Sequence, residues 1–131
     1  MPKSDDPASY PAEPPRNPIV LGVTGHVDPR PEGVPALKAA FEEILADFRA
    51  RYPSTPLVVM SSLARGTDQL AAGVVLDRKD DVRVVAPLPF PTEVYAQSSS
   101  FQGDDDARDR FLSWVSDPAL RGKVGAAPRE A

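Results

Sequence analysis

Short apolar runs alternate along this chain with longer stretches in which apolar residues recur every three or four positions. The first run, Ile19-Val20-Leu21-Gly22-Val23, is β-branched and apolar on both faces. Such a run predicts a central parallel strand covered by helices on both sides. Beyond a loop through Gly33, apolar residues fall at Leu37, Ala40, Phe41, Ile44, Leu45 and Phe48. These steps make one stripe of a helix, with Lys38, Glu42, Glu43, Asp47 and Arg49 mostly outside it. Pro35 suits the first turn, and Tyr52-Pro53-Ser54-Thr55-Pro56 ends the helix. Leu57-Val58-Val59-Met60 predicts a second strand, and Leu70, Ala71, Val74 and Val75 one side of a second helix. After a charged turn at 77–81, Val82-Arg83-Val84-Val85-Ala86 predicts a third strand, ending at Pro87-Leu88-Pro89-Phe90-Pro91. Residues 92–97 read as a short helical turn and 98–103 as a loop. Ala107, Phe111, Trp114 and Val115 give the apolar side of a last helix over about 104–115. Asp104, Asp105 and Asp106 stand at its start, where the helix dipole favours negative charge.

This β-α-β-α-β-turn-α order implies an α/β fold. The expected architecture is a Rossmann-like parallel sheet of three or more strands, flanked by helices and joined by right-handed crossovers. The expected domain spans 18–116. Six of the 16 prolines fall in the first 18 positions, and Tyr10 is the only large apolar side chain before Pro18 apart from the initiating Met1. Residues 1–17 are therefore expected to form a disordered Pro-rich tail. Residues 117–131 carry few large apolar groups and read as a flexible C-terminal tail. Three strands are few for a doubly wound domain. The pattern thus implies the N-terminal part of such a domain, truncated or completed by a partner or second copy.

Composition narrows the function classes. A chain of 131 residues holds one domain, and its 41% hydrophobic and 26% charged residues are ordinary for a globular protein. The net charge of −4 disfavours a broad nucleic-acid interface, which draws its affinity from neutralised phosphates. It leaves room for a local anion site built from backbone N–H groups. There is no cysteine, which removes disulfides, thiolate metal sites and cysteine nucleophiles. The start carries no apolar signal run, and no stretch approaches a membrane span. The expectation is a cytoplasmic protein without membrane contact.

Two loops carry the candidate chemistry. The first, Gly22-Val23-Thr24-Gly25-His26-Val27-Asp28, follows the first strand, where open α/β sheets bind ligands. Gly25 lets a phosphate approach the backbone, the Thr24 hydroxyl can donate to an anionic oxygen, and His26 donates from a ring nitrogen. The loop lacks the three-glycine dinucleotide fingerprint and the lysine of a P-loop. Its glycines can equally serve only a tight turn. The second loop, Ser61-Ser62-Leu63-Ala64-Arg65-Gly66-Thr67-Asp68, joins a strand to a helix. The free N–H groups of that first helical turn, with the dipole, suit an anion. Arg65 can clamp a phosphate or be a solvated loop charge. Asp68 can hold a ribose hydroxyl or compensate the dipole. Glu93 and Tyr95 follow the third strand at the same edge and read as surface or pocket-lining residues. Phe41, Phe48 and Trp114 are core candidates. No metal site is expected at Asp104–Asp106, because no glycine-punctuated calcium loop surrounds them. No catalytic triad is supported around the single histidine.

Three strings together resemble the SLOG superfamily, which takes in the DNA-processing protein A domain and the "lonely guy" (LOG) phosphoribohydrolases. They are Leu21-Gly22-Val23-Thr24-Gly25-His26, then Ser61-Ser62-Leu63-Ala64-Arg65-Gly66-Thr67-Asp68-Gln69-Leu70-Ala71-Ala72, then Val84-Val85-Ala86-Pro87-Leu88-Pro89-Phe90-Pro91. The second is similar to the family's Ser-Gly-Leu-Ala-x-Gly-Ala/Ile-Asp signature, with Ser62 where glycine is usual. The resemblance implies a Rossmann-like sheet that binds a nucleotide or derivative at its strand ends. It points to Gly22, Thr24, Gly25 and His26 in the first loop. In the second it points to Ser61, Ser62, Ala64, Gly66 and Asp68, with Arg65 and Thr67 beside them. It also implies bacterial signalling roles in which a ligand sensor is joined to an effector domain.

The leading expectation is a nucleotide-sensing module that takes a nucleotide or an ADP-ribose-like ligand, requires no cofactor, and works with an effector domain or as a homo-oligomer. A LOG-like nucleoside-monophosphate phosphoribohydrolase is the enzymatic alternative. Against it, the Pro-Gly-Gly-x-Gly-Thr motif of that branch is absent, and no complete catalytic set is found. A domain of the DNA-processing type, binding single-stranded DNA, and a truncated fragment without function are the other readings.

Overall fold

The computed structural model describes residues 17–120 and 124–128, so residues 1–16 of the expected 1–17 tail lie outside the described residues. The elements follow the predicted order. They are β1 (Ile19–Gly22), α1 (Val34–Arg51), β2 (Leu57–Met60), α2 (Thr67–Asp77), β3 (Arg83–Leu88), α3 (Thr92–Ala96), α4 (Asp105–Ser116) and β4 (Val124–Pro128). A 3-10 turn at Pro31–Gly33 leads into α1. All four strands are parallel and stand in the order β1-β2-β3-β4. This is an α/β, Rossmann-like sheet flanked by helices.

β4 corrects the expected tail at 117–131 over residues 124–128. Val84 stands opposite Val124, and the pairing runs on to Leu88 opposite Pro128. The strand-forming stretch Val124-Gly125-Ala126-Ala127 has almost no bulky side chains, so it gave no hydrophobic signal. Its place is set by the backbone ladder along β3.

The strands also differ from the two-sided burial expected of them. Burial alternates along β1, β2 and β3. Leu57, Val59, Val84, Ala86 and Leu88 are buried, while Val58, Met60 and Val85 between them are only half-buried. The strand order explains this. When each strand is added on the same side of the last, right-handed crossovers place every helix on one face. That face carries one core, built from Leu57, Val59, Val84 and Ala86 of the sheet, Leu45 of α1, Ala72 and Val75 of α2, and Ala107 and Phe111 of α4. β1 is an edge strand, not a central one, and Val20 is 49% exposed.

The position of β1 also splits the predicted stripe of α1. Leu45 is its one buried residue, and Phe41 and Phe48 are half-buried against the core. Leu37 and Ile44 are exposed. An aromatic cluster closes the other end of the core. Tyr95 meets Phe101 and Phe111 edge-on, each with ring centroids 5.2 Å apart. Tyr95 is therefore core, not surface or pocket lining, and Phe101 anchors the stretch expected to be a plain loop. Asp104 caps α4, its Oδ1 accepting from the Ala107 N–H at 2.9 Å. No helix of the described residues is long and apolar enough to cross a membrane.

Truncating Leu45 should therefore cost far more than truncating its neighbour. We expect Leu45→Ala to lower unfolding free energy by about 2–5 kcal/mol, and Ile44→Ala by roughly 0.5 kcal/mol or less, as at exposed positions. Urea denaturation of both variants checks this. Equal losses would show that both flanks of α1 are covered.

Candidate functional site

The two predicted loops meet at the carboxyl ends of β1 and β2, and their glycines make the meeting possible. Gly66 has φ +89°, a conformation that side chains rarely adopt. A Cβ there would press on the carbonyl of Val27 and lie 2.6 Å from the carbonyl oxygen of His26. A Cβ on Gly25 would lie 2.6 Å from Cγ2 of Thr67. The backbone joins the loops as well, because the Thr67 N–H donates to the His26 carbonyl at 3.0 Å. Gly22 has nothing within 4 Å of an added Cβ, so the packing does not require glycine there.

This interlock changes where an anion can be held. In α2's first turn, Thr67 N–H is taken by His26 and Gln69 N–H by the Ala64 carbonyl at 3.2 Å. The polar side chains of the second loop are also engaged with one another. The Ser61 hydroxyl donates to the Asp68 carbonyl at 2.7 Å and accepts from the Leu63 N–H at 3.2 Å. That second bond supports Leu63, a buried residue at φ +62°. The Ser62 hydroxyl donates to Asp68 Oδ2 at 2.6 Å. Arg65 reaches across to the first loop and pairs with Asp28 at 2.8 Å. Asp68 Oδ1 and Arg65 Nε are buried without a hydrogen-bond partner among the described residues.

The first loop is the more open of the two. Thr24, Gly25 and His26 are exposed, and their backbone N–H groups make no hydrogen bond within the described residues. They line a cavity of about 570 Å³ with Arg30, Thr67 and the start of α1 at Gly33. The Arg30 guanidinium has no ion-pair partner among the described residues. Backbone N–H groups without partners, a hydroxyl, an imidazole and an unpaired guanidinium thus line one otherwise mostly apolar cavity beside the N-terminal end of α1. That set can hold a phosphate or carboxylate.

Of the predicted residues, the structure brings Thr24, Gly25, His26 and Thr67 to this cavity. Gly66 lines a neighbouring groove. Gly22, Ser61, Ser62, Ala64, Arg65 and Asp68 line neither. Arg30 was missed. Its signal was present, since it is the one basic residue between His26 and the first helix. Gln69 is a structural hub. It is buried, its Nε2 donates to the carbonyls of Leu63 and Ala107, and its Oε1 accepts from Arg110 at 2.8 Å. Among the described residues, no group of three or more His, Cys, Asp or Glu side chains could hold a metal ion.

The contrast among the glycines is testable by thermal unfolding. Gly66→Ala should destabilise by roughly 1–3 kcal/mol or more, the cost of a strained backbone with a steric clash. Gly22→Ala should be close to neutral. A Gly66→Ala variant as stable as the parent would mean that the loops do not interlock.

Comparison of the chain with protein-family models, with curated proteins and with solved structures gave no match.

Proposed function

We propose that this domain binds a nucleotide-type small molecule through its phosphate, as a ligand-sensing module of the kind found in the SLOG superfamily. The observation that carries the reading is the cavity of about 570 Å³ at the end of β1, where Thr24, His26 and Arg30 surround backbone N–H groups without partners. Its place at the carboxyl end of a parallel strand is where α/β sheets bind ligands. Its volume falls within the range of small-molecule sites.

The division of labour differs from the one the motifs imply. Ser61, Ser62 and Asp68 hold the second loop in shape. That loop supports the first, which faces the ligand. A charge-assisted hydrogen bond contributes roughly 1.5–3 kcal/mol. A few of them, less ordering costs, fit affinity in the micromolar range, about −8 kcal/mol. No residue set for bond cleavage accompanies the cavity, so the reading is binding and not turnover.

Calorimetric titration with AMP, ADP-ribose, NAD and cyclic nucleotides tests this. We expect micromolar binding of at least one. Arg30→Ala should weaken it about tenfold, the loss of roughly 1.4 kcal/mol, without altering the melting temperature. A folded sample giving no heat at millimolar ligand would refute the proposal. Undiminished affinity in Arg30→Ala would move the phosphate elsewhere.

A further inference from the structure

The core is open along one edge. On the helix-covered face of the sheet, Leu57, Val59, Val84 and Ala86 are buried, but Ile19 and Leu21 of β1 are only half-buried. The helix above them is open in the same way. Phe41 and Phe48 of α1 are half-buried, and Leu37 and Ile44 are exposed. Arg49 shows which way that exposure faces. Its guanidinium donates to Asp81, past the end of α2, at 2.9 Å. Leu37 and Ile44 lie roughly 120–140° around α1 from Arg49, at 3.6 residues per turn. Leu45, Phe41 and Phe48 fall between, facing the core. Leu37 and Ile44 therefore sit on the flank that overhangs the free edge of β1. Ala36 and Ala40 complete that flank, exposed and uncharged. Asp47 and Arg51 below it pair with each other at 3.3 Å.

The strand edge is open as well. Among the described residues, no strand pairs with the outer side of β1. The Ile19 N–H donates to the Pro56 carbonyl at 2.9 Å and the Val23 N–H to the Met60 carbonyl at 3.0 Å. Backbone groups alternate sides along a paired strand, so Val20 and Gly22 turn theirs to the free edge. β1 carries no charge and no proline, two of the usual guards of an edge strand.

We propose that this chain forms a two-fold dimer through β1 and the overhanging flank of α1. Antiparallel pairing about an axis at Leu21 sets Val20 opposite Gly22 of the partner subunit, and each free N–H meets a free carbonyl. The two four-stranded sheets become one. The helices then meet without further adjustment. A crossover helix lies over the two strands it joins, so the two α1 helices stand two strand spacings apart, about 9.6 Å. Helices pack at about 8–10 Å, the closer distances where side chains are small, as at Ala36 and Ala40. Ile44 is level with the axis. Leu37, seven positions before it, lines the cavity at the carboxyl end of β1, and Arg49 reaches the Thr55 carbonyl beside the amino end at 3.0 Å. An unlike partner would have to offer a free strand edge and an uncharged helix flank at this same spacing. A second copy offers both by symmetry. The helix is about 27 Å long and a helix about 10 Å wide, so each copy contributes a few hundred Å². That is below the roughly 800 Å² per partner of a standard interface, so the dimer dissociates on dilution. Ile44→Ala is near neutral in the dissociated chain, where Ile44 has no neighbour to lose.

Sedimentation equilibrium from micromolar to millimolar protein tests the proposal, on the parent and on Ile44→Glu, Val20→Pro and Ala46→Glu. The parent should pass from monomer to dimer over that range. Ile44→Glu sets two carboxylates against each other at the axis, and Val20→Pro removes an outward N–H. Each should weaken the dimer at least tenfold. Ala46→Glu, on the far side of α1, should leave it unchanged. Amide exchange at Val20 and Gly22 should slow as the parent dimerises. If Val20→Pro fails to fold, that exchange decides the strand pairing. A parent that stays monomeric at millimolar concentration overturns the proposal, as does a dimer of full affinity in Ile44→Glu. A dimer of full affinity in Val20→Pro, or with unprotected Val20 and Gly22 amides, overturns the joined sheet. Loss of the dimer in Ala46→Glu overturns the placement on this flank.

Discussion

Gly66 has its α-carbon against the backbone of Val27 and His26, in a conformation open to glycine, and the Thr67 N–H closes the contact on the His26 carbonyl. Everything at the carboxyl ends of β1 and β2 follows from that approach. It brings the ends of β1 and β2 together over two short loops. It sets the start of α2, and so the position of Gln69, which ties α2 to the backbone of α4 at Ala107. Beside it, the N–H groups of Thr24, Gly25 and His26 keep no hydrogen-bond partner among the described residues. A methyl group at Gly66 would act on all of these together.

The polar residues of the second loop illustrate a general economy of phosphate-type loops. Hydroxyls that suit an anion also suit each other and the backbone. Here Ser61 and Ser62 bond within their own loop and to Asp68, and Arg65 crosses to Asp28. The loop is rigid because its chemistry is used internally. The neighbouring loop, with short side chains and fewer internal bonds, keeps its donors free. A rigid support beneath an open donor loop is the arrangement that preorganised binding requires.

Much of this fold was legible in the sequence. β2 falls on Leu57–Met60 as expected, and α2 and β3 lie where periodicity placed them. The one-faced sheet was hidden, because Val58, Met60 and Val85 are apolar on the less buried face and imitate two-sided burial. β4 was hidden because its alanines and glycine carry no hydrophobic pattern, and strand pairing is a backbone property. Phe101 was hidden because one apolar residue among serines and glycine has no period. Local loop chemistry pointed to Thr24, Gly25, His26 and Thr67, and these line one cavity. The Arg65–Asp28 pair spans 37 positions, and no local pattern encodes it. Arg30, two positions past the first loop, lines the same cavity, and its signal is that of a lone cation before the helix.

The order β1-β2-β3-β4 has a consequence for the birth of the chain. Each strand pairs with the one synthesised just before it. A doubly wound sheet must return to its first strand to grow in the second direction, which requires that edge to wait uncovered. Here each new βα unit docks on the edge most recently completed, and contacts stay between successive units. Assembly can follow the order of synthesis, with each pairing closing a crossover of 25 to 40 positions.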